Sequence, residues 1–131
     1  MYYKKFEDMP VWQHSLQATK VIYDLSANAK WSKDFGLKDQ IRRAIVSISS
    51  NIVEGFEKNN NNEFIRFLKI AKGSTGEVRN QLYIGFTISY INKEEFDNIN
   101  IEIEKLGNEI GGLIVYLQNY KKKQSAIHNS Q

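Results

Sequence analysis

One seam constrains the fold more than any other feature of the chain. Phe96, Ile99, Ile103, Leu106, Ile110, Leu113 and Leu117 recur at alternating spacings of three and four without a break. An α-helix turns once in 3.6 residues, so these side chains line a single stripe. A half-buried strand alternates every second residue and cannot use this spacing. A stripe held in heptad register over residues 96–117 belongs to a helix packed at a shallow angle against other helices.

The rest of the chain repeats the pattern less strictly. Asp8 is a candidate N-cap, Pro10 suits a first helical turn, and Val11, Leu16, Thr19, Ile22 and Tyr23 follow at helical spacing to about residue 30. The stretch from Trp31 to Gly36 reads as a connection. A second helix is predicted over 37–57, with Leu37, Ile41, Ala44, Ile45, Ile48 and Ile52 on one face. Lys58-Asn-Asn-Asn-Asn62 is a turn, and Asn60 with Glu63 resembles a capping box for a third helix over 62–91. Its inner side is predicted to carry Phe64, Phe67, Leu68, Ala71, Thr75, Val78, Leu82 and Phe86. Asn92 and Glu95 form a second candidate box, opening the fourth helix over 93–120. Residues 1–120 are therefore expected to form an all-α, up-down-up-down four-helix bundle, and residues 121–131 a basic, disordered tail.

The 131 residues suffice for one domain and one core. There is no Cys, which excludes disulfides and thiolate metal sites. The first residues lack the apolar run of a signal peptide and no segment is apolar enough to span a bilayer, so a cytoplasmic protein without a membrane partner is expected. The carboxylate di-metal site that four-helix bundles support needs Glu-x-x-His pairs. Only His14 and His128 are present, and neither follows a Glu by three residues. No phosphate loop or nucleophile motif occurs. No catalytic, metal or cofactor-binding residue is assigned, no cofactor is expected, and the chain does not read as an enzyme.

Three features point instead to association. On the second helix Gln40, Arg43, Ser47, Asn51 and Glu54 step by three and four and fall within an arc of roughly 80°. A solvated face would favour Lys and Glu; this one mixes Ser and Asn and is flanked by Ser49, Ser50 and Gly55. An interface or internal polar network suits it better than plain surface or a ligand site. On the third helix, Gly73 and Gly76 each cost about 1 kcal/mol relative to Ala in an exposed helix interior, so close approach of another helix, or a break at Gly73, is expected. Gly111 and Gly112 invite the same reading. Finally, Arg42, Arg43, Arg66, Lys69, Lys72, Arg79 and Lys121, Lys122 and Lys123 are candidate phosphate contacts. Net charge is only +3, and residues 93–120 carry two basic and six acidic groups. A monomer would bind nucleic acid weakly, whereas an assembly would concentrate its cations.

The stretches Phe6-Glu-Asp-Met-Pro-Val-Trp12, Gly36-Leu-Lys-Asp-Gln-Ile-Arg-Arg-Ala-Ile-Val-Ser-Ile-Ser-Ser-Asn-Ile-Val-Glu-Gly55 and Glu63-Phe-Ile-Arg-Phe-Leu-Lys-Ile-Ala-Lys-Gly-Ser74, with Glu77 after it, resemble the four-helix-bundle proteins encoded in intervening sequences of bacterial 23S ribosomal RNA genes. The resemblance spans roughly residues 6–118, with Met9 and Thr75-Gly76 as small departures. It implies a homopentameric ring, with Gly55, Ser74 and Glu77 joining the candidate polar network. It also implies kinship with the accessory protein of diversity-generating retroelements, a basic pentamer that binds nucleic acid and a reverse transcriptase. Itself is thus the expected partner, with RNA or DNA as a second. No enzymatic activity is implied.

Overall fold

The computed structural model describes residues 3–129, and the side chains of residues 3–120, 122 and 123. Four helices make up the architecture: α1 (Pro10–Ser26), α2 (Phe35–Glu57), α3 (Asn61–Thr87) and α4 (Lys93–Asn129). Single 3-10 turns at Phe6–Asp8 and Trp31–Lys33 lead into α1 and α2, and no strand occurs among the described residues. Packing runs α1 on α2, α2 on α3, α3 on α4 and α4 back on α1, with no comparable contact across either diagonal. This is the cycle of an up-down-up-down bundle. The α2–α3 and α3–α4 pairs pack most extensively and α1–α4 least.

The α4 seam lines the core as its spacing predicts. Phe96, Ile103, Leu106, Ile110 and Leu117 are buried, and Ile99 and Leu113 pack against them half-buried. From α2 come Ile41, Ala44, Ile45, Ile48 and Ile52, and from α3 Phe64, Leu68, Ala71, Val78 and Leu82. Two expectations fail. Leu16 and Tyr23 of α1 are exposed, because its inner stripe is Val11, Ser15, Ala18, Ile22 and Leu25. The Ser15 and Thr19 hydroxyls donate to carbonyls of their own helix, at Trp12 and Ser15, so small polar residues satisfy themselves within α1. Phe86 of α3 is only partly covered, 37% exposed and stacked on Phe96 with ring centroids 5.2 Å apart.

The helix ends differ from expectation in instructive ways. Asp8 does not cap α1: it lies in the 3-10 turn, Met9 stands at the cap position with Pro10 next, and the buried Met9 side chain fixes the chain's entry instead. α1 stops at Ser26 rather than near residue 30, and the Asn28 side chain then accepts from the backbone N–H of Lys30 and Trp31 at 3.1 and 2.7 Å. α2 begins two residues early because Asp34 accepts from Leu37 N–H at 3.1 Å. α3 ends at Thr87, short of 91. Ser89 adopts a left-handed φ of 65°, and the N–H groups of Ser89 and Tyr90 return to the carbonyls of Phe86 and Gly85 at 3.1 and 2.8 Å. This pattern closes a helix by capping its last carbonyls. α4 continues past 120 to Asn129, where a disordered tail was expected; Lys121-Lys-Lys-Gln-Ser-Ala126 contains good helix formers and neither Gly nor Pro. The capping boxes are unequal. Asn92 and Glu95 bond reciprocally at 2.8 and 3.1 Å. Asn60 caps α3, but the Glu63 carboxylate turns to Arg66.

Up-down topology gives the bundle two ends. One gathers the α1–α2 connection and the α3–α4 turn. The other gathers the start of the chain, the α2–α3 turn and α4 around Tyr120.

Candidate interaction surfaces

The middle of the α2 polar arc is a bonded network between helices. Asn51 Nδ2 donates to the Ser47 hydroxyl at 3.1 Å and to the Ser47 carbonyl at 2.7 Å. Ser47 and Ser74 hydroxyls stand 2.8 Å apart, and Ser74 donates to the Ile70 carbonyl at 3.2 Å. Each hydroxyl has one proton, so Ser74, having given its own to Ile70, accepts from Ser47. Every step of the chain from Asn51 to Ile70 is satisfied, and it ties α2 to α3 where Ser74 is almost wholly buried. The remaining candidates do not join it. Gln40, Arg43, Glu54 and Glu77 are exposed, and Arg43 pairs along its own helix with Asp39 at 2.8 Å. Gly55 is buried for a separate reason: a Cβ there would stand 2.7 Å from the Phe67 Cβ.

The candidate cations divide into occupied and open. Arg42 clamps α1: its Nε donates to Ser26 Oγ at 2.8 Å, an Nη to the Tyr23 carbonyl at 3.1 Å, and its guanidinium stacks 4.4 Å from the Tyr23 ring centroid. It satisfies the end of α1 and is not a free phosphate contact. Arg79 bridges α3 to α4, bonding Asn100 Oδ1 at 3.2 Å and Glu104 at 3.1 Å. Arg66 pairs with Glu63 and lies 4.5 Å over the Phe67 ring. Lys69, Lys72, Lys122 and Lys123 are exposed and make no ion pair among the described residues. The side chains of Lys121 and His128 lie outside the described residues. His14 crosses from α1 to α4, its Nδ1 2.7 Å from Glu109.

The glycines also separate. α3 is unbroken at Gly73, and a Cβ at Gly73, Gly76 or Gly112 would meet nothing within 4 Å. Besides Gly55, the close approaches within the bundle are at Gly85, where a Cβ would stand 2.3 Å from the Trp31 ring, and at Gly107, 2.8 Å from Thr75 Oγ1. Gly111 lies under the Lys72 stem at 3.1 Å. Gly73 and Gly76 therefore form a shallow dent on the outside of α3, with exposed Ile70, Tyr83 and Ile84 nearby on the helix. Elsewhere, the sparse α1–α4 packing leaves a cleft of about 460 Å³ over Ala18, Ile103 and Leu106, rimmed by His14, Glu102, Lys105 and Glu109. Among the described residues no cluster of His, Cys, Asp or Glu could hold a metal, and no helix is long and apolar enough to cross a membrane.

Comparison with known proteins agrees with this fold. No curated protein matches the sequence. The crystal structure of a protein of unknown function from the S23 ribosomal protein family of Bacteroides thetaiotaomicron is similar at 27% identity. Its TM-score is 0.72, with 79% of this chain and 97% of that one covered. The family model described as 23S rRNA-intervening sequence protein matches residues 7–112, all four helices apart from the distal part of α4. With the motif stretches of α2 and α3 inside that match, the chain belongs to the 23S rRNA-intervening sequence protein family.

Proposed function

We propose that this protein is a non-catalytic bundle that assembles with copies of itself, and that the outer face of α3 is buried in the assembly. The observation that carries this reading is the pair Gly73 and Gly76. They lie inside a 27-residue helix, open to solvent, with no neighbour that a side chain would meet. Each weakens the helix by about 1 kcal/mol relative to Ala, and nothing within the protomer offsets that. A helix from a second copy, packed into the dent against Ile70, Tyr83 and Ile84, would. The α1–α4 cleft suits the opposite role, with an apolar floor and a rim where Glu102 and Glu109 stand beside Lys105 and His14. Two different faces meeting in this way form a heterologous contact, which closes into a ring when the rotation permits. A ring of five is the stoichiometry that the family resemblance implies.

Light scattering tests the assembly. The expected mass at micromolar concentration is a multiple of 15.2 kDa; a monomer at that concentration sinks the reading. Replacing both glycines, Gly73→Ala with Gly76→Ala, is expected to shift mass toward monomer while raising the monomer's stability by about 2 kcal/mol. Unchanged mass would free the α3 face from this role.

A second reading, binding of RNA or DNA as an accessory to RNA processing or reverse transcription, draws support from the open cations. With Arg42 and Arg79 engaged inside the protomer, it rests on Lys69, Lys72, Lys122 and Lys123. A salt-sensitive affinity for structured RNA checks it.

A further inference from the structure

At the end of the bundle where the chain starts, three segments remote in sequence converge on a groove of about 610 Å³. We propose that this groove binds a single-stranded polynucleotide through its phosphates and unstacked bases. The proposal rests on the nucleic-acid reading and moves the principal contact from the α3 stripe to the end of the bundle.

Lys4 and Lys5 form one wall, and Lys58 stands in the adjoining turn. Lys122 and Lys123 follow Tyr120 on α4, outside the groove's lining. All five are exposed, and none is in an ion pair among the described residues. Opposing them, Glu57 lines the groove and Glu7 and Asp8 lie nearby in the chain, while Glu63 is held by Arg66. Among the lining residues themselves two lysines stand against one carboxylate, a surplus of one positive charge, the sign a phosphate backbone requires. Tyr3 and Tyr120 also line the groove, at 41% and 39% exposure. Half-open rings beside cations are the platform on which single strands stack. Asn59 and Asn61 supply a third chemistry. Asn60 spends its side-chain oxygen on the α3 cap, whereas the amides of Asn59 and Asn61 are exposed and make no side-chain hydrogen bond among the described residues. A free carboxamide can bond a base edge through both its donor and its acceptor. A duplex presents its bases stacked and paired, so stacking on Tyr3 or Tyr120 selects an unpaired strand.

Fluorescence anisotropy with a labelled mixed-sequence RNA 12-mer, the matching DNA strand and the matching duplex tests this on the full chain at 50 and 200 mM salt. Both single strands should bind more tightly than the duplex. Equal RNA and DNA affinities support recognition of phosphate and base; an RNA preference supports the same groove with the 2′-hydroxyl added. Lys4→Glu with Lys5→Glu should weaken binding at least tenfold and make the salt slope shallower by about 1.4, at roughly 0.7 per lost phosphate contact on a single strand. Lys33→Glu, at the opposite end of the bundle, should change affinity less than twofold, and Lys69→Gln with Lys72→Gln should weaken binding less than the Lys4/Lys5 pair does. Loss of binding in the α3 pair with none in the Lys4/Lys5 pair overturns the groove and leaves the broader reading standing. Absence of binding to every probe at 50 mM salt overturns both. Circular dichroism melts of each variant establish that the fold is kept.

Discussion

The two ends of the bundle carry similar residue types and use them in opposite ways. Where α1 meets α2 and α3 meets α4, an Asn, a Lys and a Tyr are all consumed by the fold. Asn28 Nδ2 donates to the Tyr90 carbonyl at 3.2 Å, Lys30 Nζ to the Ser89 carbonyl at 3.1 Å, and the Tyr90 hydroxyl to Asp34 at 2.9 Å. Beneath them Trp31 is fully buried against Gly85, its ring 5.9 Å from that of Tyr90. At the other end Asn59, Asn61, Lys4, Lys5 and Tyr3 line a groove, and no side-chain hydrogen bond among the described residues joins its three segments. One end locks two connections together. The other leaves the same chemistry facing solvent or a partner. Residue type does not distinguish a structural corner from a binding surface; the count of internal partners does.

Substitutions at the two ends should therefore separate stability from binding. The largest effect is expected at Gly85. An added Cβ would stand 2.3 Å from one Trp31 ring atom and 2.6 Å from another, and a ring with no exposed surface has nowhere to shift. Gly85→Ala should lower the unfolding free energy by about 3 kcal/mol, at the upper end of overpacking costs, read by urea titration. A loss below 1 kcal/mol would mean that the corner is softer than its packing implies. Asn28→Ala comes next. It removes two acceptances and one donation at once, and about 2 kcal/mol should go with them. Asn61→Ala at the open end should stay within about 0.5 kcal/mol of the parent; a cost equal to that of Asn28→Ala would erase the contrast. Between the two lies Asn51→Leu in the α2–α3 network. Ser47 keeps its acceptor on Ser74, and Asn51 is only half-buried, so about 1 kcal/mol is expected from the same titration.

The fold was legible because its determinants are local or periodic. The 96–117 seam, the Asn92–Glu95 box and the Asn60 cap each lie within a few residues or repeat at one spacing. The interaction surfaces were less legible because each depends on a partner distant in sequence. Arg42 reads as a surface cation until Ser26, 16 residues away, accepts a hydrogen bond from it. Asn28 falls inside the helix expected to run to about residue 30, and nothing nearby announces that its side chain meets Tyr90, 62 residues away. Gly73 and Gly85 lie in one helix and look alike in sequence. Twelve residues apart, they differ by about 120° around the axis, so one faces outward and the other faces Trp31. Ser47 and Asn51 stand four residues apart on one helix and bond to each other, as three-and-four steps allow; Gln40, Arg43 and Glu54 of the same arc lie outside that network.

The subtlest difference between the ends is one of pH. The Tyr90 hydroxyl donates to the Asp34 carboxylate, and that bond, followed by partial desolvation and the nearby negative charge, raises its pKa above the ordinary 10.0. A pKa raised on folding means that the folded state holds the proton more tightly. The stabilisation is complete below pH 10 and is lost as pH rises through the folded value. Tyr90→Phe removes both the bond and its titration. Subtracting its stability profile from that of the parent should leave a difference that is flat through neutral pH and falls only above about pH 10. Asn61→Ala at the open end, with no titrating group changed, should give a difference profile without that alkaline step. A difference for Tyr90→Phe that falls below pH 9, or none at any pH, would show that the Asp34 contact does not hold the sealed corner in solution.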